Sequence, residues 1–145
     1  MASLVYNEFK RANAAGEIDL NAHDIRCALL MTNTTADTEN DGIVNVDDFT
    51  TLDEFDGSGY SRQALTNEAV NKDDANDRAE FDADDVAFGA LGAGTRAVQG
   101  VLLYKHVTND SDSVVIAFIQ FSSNKTMDGS AFTVTWDAQG ILQLA

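Results

Sequence analysis

Residues 114–121 read VVIAFIQF, a run in which Gln120 is the only polar side chain. A strand that must hide both of its faces belongs in the middle of a packed sheet, not at its rim. Three further stretches, 18–32 (IDLNAHDIRCALLMT), 96–107 (RAVQGVLLYKHV) and 131–137 (AFTVTWD), are rich in Val, Ile, Phe and Thr and read as further strands. In the last of these Phe132, Val134 and Trp136 alternate with Thr133, Thr135 and Asp137, which gives one apolar and one polar face. DAQG follows and predicts a turn that folds ILQLA back as a terminal hairpin. The expected fold is mainly β, a β-sandwich or jelly roll.

The 145 residues, 44% of them hydrophobic, suffice for one domain with its own core. A short helix is expected to open the chain within residues 1–16: Ser3 caps it, Val5, Phe9 and Ala12 recur at helical spacing, and Gly16 ends it in the left-handed conformation. The sandwich then spans 17–145 and contains a long acidic loop region, 33–95. That region is not a linker, because Leu52, Phe55, Tyr60, Leu65, Val70, Phe81, Val86 and Phe88 are spaced as anchors that offset its ordering entropy. Proline is absent throughout, so Gly, Asn and Asp must shape the turns.

Twenty-four acidic residues face nine basic ones, for a formal charge of −15. Phosphate backbones are repelled by such a surface, so nucleic acid is not an expected partner. No apolar run reaches the ~20 residues of a membrane helix, and no membrane partner is expected either. Cys27 is a lone thiol inside an apolar strand, which reads as a core residue; His23 and His106 are the only histidines to assist catalysis. There is no Gly-x-Ser-x-Gly and no phosphate-cradling Walker loop, and GALGAG at 89–94 reads as a turn. No enzymatic activity, catalytic residue or cofactor is expected.

Two acidic runs invite a metal. Asp37, Glu39, Asp41, Gly42, Asn45 and Asp48 fall at positions 1, 3, 5, 6, 9 and 12 of an EF-hand loop. The residues before this loop read as a strand where an entering helix is required, and position 12 carries Asp in place of the bidentate Glu. A solvated acidic loop, with no metal, is the expectation. The second run, DDANDRAEFDADDV at 73–86, reads as a wet edge strand partly neutralised by Lys72 and Arg78.

Taken in order, YNEFK, IDL followed by ALLMT, DGSGY, LTNEAV, AEFDADDVAF, TRAVQGVLLYK, IAFIQF and FTVTWDAQGILQL resemble a group of small structural proteins from the virion gene clusters of tailed bacteriophages. The resemblance runs nearly end to end. It implies a capsid-associated role on the outside of the virion, as a head decoration or cement protein bound to the major capsid protein of the phage head, with a homo-oligomer such as a trimer as one possible form. A tail or head–tail component is the second implied role. Within that reading Leu4, Val5, Tyr6 and Phe9 are candidates for an arm that grips a neighbouring subunit. A calcium-dependent module and a carbohydrate-binding module are the alternatives from other classes.

Overall fold

The computed structural model describes residues 3–145. In chain order the elements are β1 (Leu4–Val5), α1 (Asn7–Ala14), β2 (Ile25–Met31), a 3-10 turn (Val46–Asp48), β3 (Gln63–Ala64), β4 (Ala69–Asp73), β5 (Arg78–Asp82), β6 (Val86–Ala90), β7 (Val98–Lys105), β8 (Val114–Lys125), β9 (Ala131–Val134) and β10 (Leu142–Leu144). The fold is mainly β and sandwich-like, as expected. Its main sheet has the order β1-β8-β7-β2-β3, and two smaller sheets, β10-β5-β4 and β6-β9, accompany it. All pairings between named strands are antiparallel.

The run that hides both faces lies inside the main sheet, with β8 between β1 and β7. Alternate residues of its central strands feed two separate cores. Cys27, Leu29, Val101, Leu103 and Ile116 point into one cluster; Ala28, Leu30, Leu102, Tyr104, Val115 and Phe118 point into the other. The acidic middle of the chain supplies cover for both. Its first part places Ala36, Ile43, Val46 and Phe49 over the second cluster, and its later part brings Phe55, Leu65, Phe81, Val86, Phe88 and Leu91 to the first. The two small sheets contribute to that first side through Phe81, Val86, Val134 and Leu142. Val70, expected as another anchor, stays 38% exposed on β4.

Close packing inside the main sheet leaves room for nothing larger than hydrogen at one position of β7. A Cβ on Gly100 would lie 2.5 Å from the Ile119 carbonyl oxygen and 2.6 Å from the Phe118 ring.

The N-terminus departs from expectation. The helix starts at Asn7, with Tyr6 as its N-cap and no side-chain cap, and Ser3 takes no part in it. Leu4 and Val5 instead pair with Phe118 and Ala117 on the free edge of β8. Backbone pairing to a buried strand outweighs the helical spacing that begins at Val5, a tertiary override of local pattern. Gly16 does end the region with φ +73°. The four candidate arm residues are built into this chain's own body: Tyr6 and Phe9 are fully buried, in opposite clusters, while Leu4 and Val5 pack partly buried beside them.

The terminal hairpin is also corrected. The Asp137–Gly140 turn forms, with Gly140 N donating to Asp137 O at 2.9 Å, but the strand after it pairs with β5, Leu142 opposite Phe81. β9 pairs with β6 instead. Trp136 is the reason: its Nε1 donates to Asp84 O at 3.0 Å and its backbone N to Asp85 Oδ1 at 3.1 Å, which ties the chain leaving β9 to the segment between β5 and β6.

Phe9→Ala should therefore lower unfolding free energy by about 3–5 kcal/mol, since it empties a fully enclosed site. Val107→Ser, at a side chain 53% exposed, should stay within about 0.5 kcal/mol of the parent. Denaturant unfolding of both variants checks the pair.

Candidate functional site

The EF-hand-like stretch folds as a loop stapled by its own carboxylates. Glu39 Oε2 accepts from Thr50 N at 2.9 Å and Thr35 Oγ1 at 2.8 Å, and these bonds hold its carboxyl below the usual range. Asp48 Oδ2 accepts from Val44 N and Asn45 N, at 3.0 and 2.8 Å, while the Asn45 side chain accepts from the Asp48 N–H, a reciprocal capping box on the 3-10 turn. Asp37 Oδ2 accepts from Gln99 Nε2 of β7 at 2.8 Å. Gly42 supplies the turn with φ +77°. The segment enters from β2 and leaves through that 3-10 turn, without the helix pair of an EF-hand. Glu39, Asp41 and Asp48 line a shallow open pocket, and among the described residues no group of three or more His, Cys, Asp or Glu stands close enough to share a metal.

The second acidic run folds as the β4–β5 hairpin and the bend into β6. Arg78 sits between Asp73 and Glu80, at 3.2 and 2.7 Å, and holds the two adjacent strands of the hairpin together. Asp84 accepts from Asn67 Nδ2 at 2.6 Å, and Asp85 anchors Trp136. These acids orient turns and strand ends.

Cys27 is sealed in the first core cluster, and burial pushes its thiol up to about 12. A thiolate is the reactive form, so the side chain is inert near neutral pH. His23 accepts from Asp19 N through Nδ1 at 2.9 Å, and His106 packs edge-on to Tyr104 just beyond β7.

A polar hub absent from the sequence reading lies beside β3. Arg62 forms ion pairs with Glu54 at 2.8 Å and Asp110 at 2.5 Å, and its guanidinium carbon stands 5.3 Å from the Tyr104 ring centroid. Tyr60 Oη donates to Glu54 Oε1 at 2.8 Å and accepts from Leu29 N of β2 at 3.0 Å. Burial and the Glu54 carboxylate both raise the Tyr60 phenol above its ordinary value, so it remains a donor at any physiological pH. This hub joins the segments around 54, 62 and 110 to the main sheet, over sequence separations of up to 48 residues.

From Tyr60 a chain of rings crosses the molecule. Tyr60 stacks on Phe88 at 6.0 Å between centroids, Phe88 meets Phe132 at 6.3 Å, and Phe132 meets Phe121 edge-on at 6.1 Å. The last two rings lie in an open groove of about 470 Å³ between the outer half of β8, β9 and the 137–141 turn. Trp136, Lys125 and Asp137 line it with them. Here the surface combines aromatic rings with a concave shape, and Trp136 was expected only as part of an apolar stripe.

Tyr60→Phe should cost about 1–3 kcal/mol, because Glu54 loses a donor and the Leu29 N–H loses its acceptor; thermal melts against the parent measure it. A thiol reagent should leave Cys27 unmodified in the folded protein at pH 8 and label it fully in denaturant.

No family model, curated protein or solved structure matches this chain.

Proposed function

We propose that this chain is a non-catalytic structural protein of a tailed-phage virion, a decoration or cement protein that binds the outside of the assembled head and stabilises it. The observation that carries the reading is the pairing of a stiff body with an acidic exterior. The main sheet is packed on both faces, so the domain resists deformation. Six of its nine cations, Arg11, Arg26, Arg62, Lys72, Arg78 and Arg96, are already paired with this chain's own carboxylates. The surplus negative charge keeps copies apart in solution and leaves the protein to attach where a partner presents a complementary surface.

What favours this role among those open to a rigid acidic β domain is the resemblance of the quoted sequence stretches to small virion proteins. The partner is the major capsid protein, presented as a composite site by several assembled subunits. A domain of 15.6 kDa buries enough area for stable attachment only where such neighbours are already in place. Leu4, Val5, Tyr6 and Phe9 are used within the fold, so attachment falls to other surfaces. Binding to the assembled state stabilises that state by linkage.

Purified protein added to heads that lack it should co-sediment with them, raise their disruption temperature, and show little affinity for free capsid subunit. Labelling of tails under the microscope, or heads of equal heat resistance with and without the protein, would replace this reading with the tail-component one.

A further inference from the structure

We infer that the groove between β8, β9 and the 137–141 turn is a binding site for a neutral saccharide. The inference goes beyond the structural role proposed above and does not rest on it. Three rings, Phe121, Phe132 and Trp136, line one concave surface of about 470 Å³, a size suited to one or two sugar rings. Trp136 is held before any ligand arrives: its Nε1 is committed to Asp84 O at 3.0 Å and its backbone N to Asp85 Oδ1 at 3.1 Å. With its only side-chain donor engaged, this residue offers a ligand its ring alone. Phe132 is braced by Phe88 behind it and Phe121 beside it. Fixed rings lose little entropy on binding and suit the flat C–H face of a pyranose.

The polar groups decide the ligand's charge. Lys125 and Asp137, both exposed, give the groove one charge of each sign and so no net charge, and the hydroxyl of Thr135 adds a neutral donor and acceptor. An anionic ligand would meet the field of a body carrying −15, and a cationic one would be drawn to acidic surface everywhere else. A wholly apolar ligand would strip water from two charged groups and a hydroxyl without replacing their hydrogen bonds, which opposes its binding. A neutral polyhydroxylated ring meets all three conditions: it covers the rings, satisfies the polar groups and carries no charge.

Trp136 is the only tryptophan of the chain, so its emission reads the groove directly. The protein is titrated with neutral oligosaccharides of glucose, mannose, xylose and N-acetylglucosamine, with maltose-free buffer and a detergent monomer as controls. At least one sugar should produce a saturable change in emission with a millimolar or tighter Kd. Phe121→Ala should weaken it about tenfold, the scale of one ring contact. Lys125→Ala, at an exposed side chain whose loss leaves the fold intact, should weaken it several-fold, about one hydrogen bond. No saturable change with any sugar up to high millimolar concentration would overturn the inference. So would a change that both variants leave intact, or one produced equally by the detergent.

Discussion

Everything else in this molecule answers to a sheet that cannot show either face to water. Through β2, β7 and the 115–118 part of β8, side chains are fully buried at most positions and are shared between two opposite clusters. Each Leu, Ile or Phe so enclosed contributes about 1.5–3 kcal/mol relative to exposure, which holds only if both sides are covered. Parallel sheets solve this with helices. This chain has one short helix among its described residues, and covers the sheet instead with a loop on one face and two small sheets on the other.

That arrangement explains why so acidic a segment is ordered. Carboxylates in 37–85 rarely serve as isolated charges: Glu39 and Asp48 cap backbone N–H groups, Asp73 and Glu80 bracket Arg78, and Asp53 binds Arg96 and Asn33 N. Exposed pairs of this kind contribute little singly. Their effect is to fix turns in a chain without proline, where Asp53, Asn67 and Asp77 adopt left-handed backbone that other side chains resist. Apolar anchors between them, Phe55, Leu65 and Phe81, supply the energy.

The three long strands of the main sheet, β2, β7 and β8, were legible because burial on both faces leaves mostly apolar runs, and Cys27 was legible as core for the same reason; β1 and β3, two residues each, were not. Partners were not. Alternation shows that Phe132, Val134 and Trp136 share a face, yet it cannot say that β9 pairs with β6, nor that the strand after DAQG crosses to β5. At the N-terminus Val5, Phe9 and Ala12 satisfy helical spacing while Leu4 and Val5 serve a strand, and only the free edge of β8 decides between them. Arg62 carries no local signal, since its partners lie 8 and 48 residues away. The groove is assembled from separate segments, so nothing local pointed to it, and Trp136 read only as part of an apolar stripe.

The functional reading asks for a body that attaches without deforming, and the doubly covered sheet is what would provide that stiffness. Native-state amide hydrogen exchange tests it most directly. Amides of β2, β7 and β8 as far as Gln120 should exchange last and together, at the free energy of global unfolding, with the 36–52 cover and the β4–β5 hairpin opening earlier. Protection greatest in β4–β5–β10, or main-sheet amides that exchange well before global unfolding, would contradict the account.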